Sequence, residues 1–412
     1  MRKIFVVSLI VVPILLIVLR QQQQQNDKEK IITTADRVRR AGFDSASYDI
    51  YTKDGYGLTL FRLRNPLTST TPSPAAPVVL LMHGFTSSSD VWVIEGMKNP
   101  LAYDLLRQGY DVWLGNNRGN MYGQRHRNIS IWDREFWRFS FHEIGINDLP
   151  QMIDFILEET QQTSLHYVGY SQGTTIAMVL LSMKPEYNAK FKTINLLAPT
   201  IFMTNGRSKL RYLGRFFDSY TPLHTYVGDM AVFRPKLLRK LLGFERCRSP
   251  QANAKVCAAI IYNLFGGYSA YLEEALIPDI FNSHPATSAL HQLFHFLQIH
   301  RSQKFRQYDI GSEGNLRRYN QSLPPEYNLS NVNPRLPIHM FYSDYDELSS
   351  KTDVESLAHI LGNRSVSHFI DLEHYSHLDF VWGNNTKEII NKPILKILKE
   401  AEVLWRSDKA AN

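Results

Sequence analysis

Leu165-His166-Tyr167-Val168-Gly169-Tyr170-Ser171-Gln172-Gly173-Thr174-Thr175-Ile176-Ala177-Met178-Val179-Leu180-Leu181 is the stretch on which the reading of this chain turns. An apolar run, a G-x-S-x-G pentapeptide and a second apolar run of helical length follow one another, which reads as strand, sharp turn and helix. A serine at the apex of such a turn takes a strained backbone conformation that lifts its hydroxyl clear of the sheet. Gly169 and Gly173, having no side chains, let the strand and the helix approach closely across the turn. The pentapeptide alone arises by chance in many chains. Its place between a strand and a helix is what marks Ser171 as a candidate nucleophile.

Working outward, short apolar runs at residues 78–82, 111–114, 165–169, 193–197 and 338–342 are separated by helical stretches. Continuous apolar strands alternating with helices predict an α/β fold, with a mostly parallel sheet covered on both faces. Upstream, residues 48–52 and 58–63 flank Lys53-Asp54-Gly55-Tyr56 and predict an antiparallel hairpin at the sheet edge. Residues 68–77 form a Ser/Thr/Pro-rich loop. Between about 200 and 310 the strand signal vanishes, and Leu290, Leu293, Phe294 and Leu297 share one helical face. A helical insertion between two late strands lies over their C-terminal ends, where a site forms, and so reads as a cap. The expected organisation is residues 1–25 as a targeting segment with a polyglutamine tract, 26–199 as the first part of the core, 200–310 as the cap and 311–412 as the second part of the core.

At 412 residues, 44% hydrophobic and 21% charged, the chain can bury a large core and is not disordered as a whole. The net charge of +7 reads as a solvated basic surface, and no Lys/Arg run is long enough to suggest nucleic acid. A basic start, Met1-Arg2-Lys3, precedes an apolar segment at residues 4–19, which predicts a secretory signal peptide. No small-residue cleavage site follows it, so an uncleaved membrane anchor through residues 4–19 stays open as an alternative. Cys247 and Cys257 are the only cysteines, and in an oxidising compartment they are expected to pair. Glycosylation sequons occur at Asn128, Asn320, Asn328, Asn363 and Asn384 and fit the same compartment.

A serine hydroxyl needs an imidazole to take its proton and a carboxylate to hold that imidazole in the right tautomer. Asp344, Asp346 and Glu347 follow the strand-like residues 338–342 and are candidate acids, and His374 and His377 follow a later strand-like run. Position alone separates them poorly. Two backbone N–H groups are also needed for the oxyanion. One would come from Gln172, after the nucleophile, and the other from Phe85 in the His83-Gly84-Phe85 turn. His83 itself reads as a structural hydrogen-bonding residue. No phosphate-binding glycine loop, dinucleotide fingerprint or H-E-x-x-H spacing occurs, so neither a cofactor nor a metal is implied.

These residues, together with Asp111-Val112-Trp113-Leu114-Gly115-Asn116-Asn117-Arg118-Gly119-Asn120 and Glu135-Phe136-Trp137-Arg138-Phe139-Ser140-Phe141-His142-Glu143, resemble the motifs of the eukaryotic acid lipase family from about residue 31 to 405. The resemblance implies the α/β hydrolase fold, with the helical insertion as cap and lid. The family's H-L-D-F is similar to His377-Leu378-Asp379-Phe380 and marks His377 rather than His374 as the base. Its acid motif falls on residues 344–354 and marks Asp346. The same resemblance implies hydrolysis of a neutral lipid ester, triacylglycerol or sterol ester, at a lipid–water interface. It also supports a Cys247–Cys257 disulfide within the cap, and secretion or lysosomal delivery. A carboxylesterase of shorter-chain substrates and a non-catalytic lipid-binding protein are the alternatives. The chain departs from the family pattern at Asp344, where glycine is usual, at Tyr170, where histidine is usual, and at Phe85, where an aliphatic residue is usual.

Overall fold

A computed structural model describes residues 32–67, 76–209, 212, 228–233, 243–335 and 337–411, the side chains beyond 407 excepted. The expected signal or anchor segment, the polyglutamine tract and most of the Ser/Thr/Pro-rich loop lie outside the described residues. Among the described residues no helix is long and apolar enough to cross a membrane.

The strands are β1 (Asp44–Tyr51), β2 (Tyr56–Arg64), β3 (Val78–Met82), β4 (Asp111–Leu114), β5 (Arg125–His126), β6 (Leu165–Tyr170), β7 (Phe191–Leu197), β8 (Ala231–Val232), β9 (Ser288–Ala289), β10 (Ile338–Ser343) and β11 (Ser365–Ile370). All but β8 and β9 form one sheet of order β1-β2-β4-β3-β6-β7-β10-β11, with β5 added on β2. From β4 to β11 every pairing is parallel. The β1–β2 hairpin, and β2 against β4 and β5, are antiparallel. The hairpin stands at the edge, as its turn residues predict.

The parallel strands from β3 to β10 read as mostly apolar runs because both of their faces are buried, whereas β11, at the edge, is half-exposed. On β3, Val78, Leu80 and Met82 enter one core while Val79 and Leu81 enter the other. On β6, Leu165 and Tyr167 divide from Val168 and Tyr170 in the same way. β3 pairs with β4 on one side and β6 on the other, so the strand order reverses there. A crevice opens at the C-terminal ends of strands at such a point.

The segment between β7 and β10 carries helices Phe244–Cys247, Ala254–Leu264, Ile277–Ser283, Leu290–Ser302 and Ser312–Tyr319. Phe294 and Leu297 are buried with Leu290 and Leu293 packed beside them, as the helical periodicity predicts. One feature departs from the helical expectation: β8 and β9 pair antiparallel inside this segment. At two residues each they are too short to leave an alternation in the sequence. Cys247 and Cys257 are disulfide-bonded, with Cα atoms 5.6 Å apart, and join the first two of these helices. Closing so short a loop contributes about 2–3 kcal/mol.

A buried ion cluster fastens the segment to the rest. Arg37, on helix Thr34–Arg40, donates from Nε and Nη2 to Asp279 at 2.9 and 2.7 Å. Asp279 Oδ2 also accepts from the Glu95 N–H at 2.9 Å, and Asp90 lies 3.5 Å from Arg37 Nη1. Removing one partner of such a buried pair costs about 3–5 kcal/mol, because the other charge is left uncompensated.

Candidate active site

Ser171 directly follows β6 with φ 53° and ψ −118°, outside the regions that L-residues favour. The strain, on the order of 1–3 kcal/mol, is held in place by neighbours. The Ser171 N–H donates to the Leu197 carbonyl at 2.9 Å, and the Thr174 N–H and Oγ1 both donate to the Ser171 carbonyl, at 2.8 and 2.6 Å. The glycines are required by close approach. A Cβ on Gly169 would lie 2.7 Å from the Gly173 backbone, and one on Gly173 would lie 2.6 Å from the Met82 carbonyl oxygen.

Asp346 follows β10 and His377 follows β11, so both reach the same sheet end as Ser171. His377 Nε2 lies 2.9 Å from Ser171 Oγ, and His377 Nδ1 lies 2.7 Å from Asp346 Oδ2. The Nδ1–H donates to the carboxylate, which leaves Nε2 to accept from the serine hydroxyl. The other oxygen of Asp346 accepts from the N–H groups of Leu348 and Ser349 at 2.8 and 2.9 Å, so the carboxylate is fully engaged and fixed. All three side chains are buried.

The rival candidates lie elsewhere. Asp344 is exposed, and Arg207 donates to its carbonyl. The Glu347 N–H donates to the Gly266 carbonyl at 3.1 Å, and its side chain is half-buried. The His374 side chain is 45% exposed and stands among the rings of Tyr268 and Tyr345, turned to solvent and not to the serine.

The turn after β3 hugs Ser171 so closely that a Cβ on Gly84 would come within 3.0 Å of Ser171 Cβ. Among the described residues, neither the Phe85 N–H nor the Gln172 N–H has a protein acceptor. His83 braces this turn. Its Nδ1–H donates to the Gly84 carbonyl at 2.8 Å, and its Nε2 accepts from the Asn117 N–H at 3.2 Å and Asn120 Nδ2 at 3.1 Å. Burial pushes the imidazole down to about 4, which keeps it neutral and suited to this mixed donor and acceptor role. The stretch 111–120 thus supports the turn, and Arg118 within it is buried between Asp148 and Asp54 and lies 3.9 Å from the Tyr56 ring centroid.

Several contacts around the centre escape a reading of the sequence, although Tyr170 and Asp379 themselves stand in its motifs. Tyr170 Oη donates to the His377 carbonyl at 3.0 Å, so the residue before Ser171 anchors the histidine loop. Asp379 accepts from the Ser376 N–H at 2.7 Å and from Ser269 Oγ at 2.6 Å, and burial pushes its carboxyl up to about 7. Gly266, at φ +108°, covers the histidine: a Cβ there would fall 2.3 Å from His377 Cβ. For Gly266, the glycine pair at 266–267 inside an apolar stretch is the signal that could have drawn notice.

A cavity of about 150 Å³ opens at Ser171 and His377, walled by Ile261, Leu264, Phe265, Phe296, Leu297 and further apolar side chains. His284 lies in the wall and is kept neutral, because burial pushes it down to about 3. At the surface, Asn128, Asn320, Asn328, Asn363 and Asn384 are all exposed.

A sheet, a nucleophile turn and a polar centre of this kind define an α/β hydrolase. The family model for the alpha/beta hydrolase fold matches residues 77–381, and that for a partial alpha/beta-hydrolase lipase region matches residues 34–96. The chain is similar to Lipase 3 of Drosophila melanogaster, at 35% identity over 89% of this chain and 93% of the relative. It is similar to the gastric triacylglycerol lipase of Bos taurus, at 34% identity over 87% of this chain and 89% of the relative. The lysosomal acid lipase/cholesteryl ester hydrolase of Macaca fascicularis is 32% identical over 87% of this chain and 88% of the relative. Among solved structures, a provisionally named lipase from Acinetobacter baumannii overlays with a TM-score of 0.53 at 14% identity, over 92% of this chain and 99% of that one, which speaks to the fold alone. The chain belongs to the eukaryotic acid lipase family of α/β hydrolases and is a lipid ester hydrolase.

Proposed function

We propose that the chain hydrolyses neutral lipid esters, triacylglycerol or sterol ester, through an acyl-serine intermediate. Ser171 Oγ attacks the ester carbonyl as His377 Nε2 accepts its proton, and Asp346 holds the Nδ1–H and stabilises the imidazolium that forms. The Phe85 and Gln172 N–H groups bind the oxyanion of the tetrahedral intermediate. His377 then returns the proton to the departing alcohol, leaving the acyl group on Ser171. Water, deprotonated by His377, attacks the acyl carbon and releases the fatty acid.

The observation that carries this reading is the continuous chain from Asp346 through His377 to Ser171, at 2.7 and 2.9 Å, opening into an apolar cavity. Such a wall favours a long acyl chain or a sterol over a charged or sugar-like substrate, because its groups offer water-free apolar contact. The names of the gastric and lysosomal relatives point to the same substrates. The disulfide and the exposed sequon asparagines support work in the secretory pathway, as a secreted enzyme or one delivered to the lysosome.

The test is a substrate panel on the purified chain: emulsified triolein, emulsified cholesteryl oleate and a soluble short-chain ester. Turnover of an emulsified long-chain ester above that of the soluble ester is expected. Activity confined to the soluble ester would instead identify a carboxylesterase.

A further inference from the structure

The residue after the nucleophile is held from the inserted segment. Gln172 Nε2 donates to Gln292 Oε1 at 2.7 Å, and Gln292 Nε2 donates to Ser288 Oγ at 2.6 Å. Both glutamines are 1% exposed, so water cannot replace either bond if it is lost. Ser288 in turn sits on β9, which pairs with β8. A rigid line therefore runs from the small sheet of the cap through Gln292 to Gln172, whose backbone N–H has no protein acceptor among the described residues.

The same stretch of the cap grips the other side of the site. The Ala286 N–H donates to the Thr86 carbonyl at 2.7 Å, and His284 Nε2 lies 2.9 Å from Ser87 Oγ. Thr86 adjoins Phe85 and has φ +51°, a conformation a threonine holds only when its surroundings impose it. Polar contacts from residues 284–292 thus reach Gln172 itself and, on the other side, Thr86 and Ser87, which follow Phe85 in the turn. A cap that merely covered the site would need only apolar contact here. Buried and satisfied amide networks fix geometry in a way that apolar packing does not.

We propose that Gln292 is a positioning residue for ester hydrolysis: acting through the Gln172 side chain, it sets where the Gln172 N–H points and so aligns the oxyanion site. The cap is then part of the catalytic machinery as well as its roof. This rests on the oxyanion role proposed above for Gln172. Oxyanion donors act through placement, and a displaced donor loses part of the hundredfold or greater effect that a missing one costs.

The test is a double-mutant cycle on the full chain, using Gln172→Leu, Gln292→Leu and their combination, assayed on a soluble p-nitrophenyl ester. Each single variant is expected to lower kcat about tenfold with KM changed by less than about twofold. The double variant is expected to lose no more than either single one, because both break one bond. Gln292→Glu, which keeps an acceptor for Gln172 Nε2, restores most of the rate. Ser288→Ala, a smaller change, lowers kcat in the same direction and serves if Gln292→Leu does not fold. Inactivation by an alkylphosphonate, whose phosphoryl oxygen enters the oxyanion site, slows in parallel with kcat. Additive losses, or a raised KM with unchanged kcat, overturn the proposal. Ser171→Ala in the same assay separates the two levels: turnover surviving in it defeats the nucleophile assignment itself, whereas a dead Ser171→Ala beside an unaffected Gln292→Leu defeats only the positioning role.

Discussion

Ser171, Asp346 and His377 stand at the ends of three strands of one sheet, whereas Gly266, His284 and Gln292 belong to the inserted segment and approach the same centre. The sheet carries these three side chains, Ser171 and Asp346 after strands buried on both faces and His377 after the half-exposed edge strand β11. The insertion supplies fit: a backbone packed against His377, hydrogen bonds to the turn beside Phe85, and an amide bonded to Gln172. The difference teaches that reactive groups are specified by position on a scaffold, while their alignment is specified by contacts between regions distant in the chain.

The comparison breaks most readily at the histidine. His377→Gln is expected to reduce kcat by about ten-thousandfold. His374→Gln should leave it within about twofold, since that side chain is turned to solvent. Steady-state kinetics on one ester decide between them, and the reverse result would move the base to the exposed residue.

A smaller effect is expected where the two regions meet at Asp379, which links Ser269 of the insertion to the Ser376 N–H beside His377. Burial raises its folded pKa from 3.8 to about 7. The folded state therefore binds this proton more tightly than the unfolded chain does. The stabilisation is fully present below about pH 4 and is lost as pH rises through about 7. Thermal melts from pH 4 to 8 should show the stability advantage of wild type over Asp379→Asn shrinking across that window, while the buried histidines affect both proteins alike. Parallel curves would remove Asp379 from the pH response.

Much of the sheet could be read from the chain, because strands buried on both faces leave apolar runs that no exposed element imitates. The nucleophile turn was legible for the same reason: its glycines sit between such a run and a helix. The choice between His374 and His377 was not open to spacing, since both follow the same strand, and only the resemblance of the H-L-D-F motif separated them. Less still could be read of the insertion. The pairing of β8 with β9 spans only two residues on each strand. Arg37 finds Asp279 across 242 positions. A single glutamine on a helix, such as Gln292, carries no periodicity that distinguishes a buried amide partner from a solvated one.

The central claim is that Ser171 is the nucleophile of a lipid ester hydrolase. Its most direct test is to treat the purified chain with a fluorophosphonate and locate the adduct by peptide mass spectrometry. A single adduct on Ser171 is expected, with labelling strongly slowed in His377→Gln and absent in Ser171→Ala, which should also lack ester turnover while keeping its fold. An adduct on another residue, or turnover surviving in Ser171→Ala, would contradict the account.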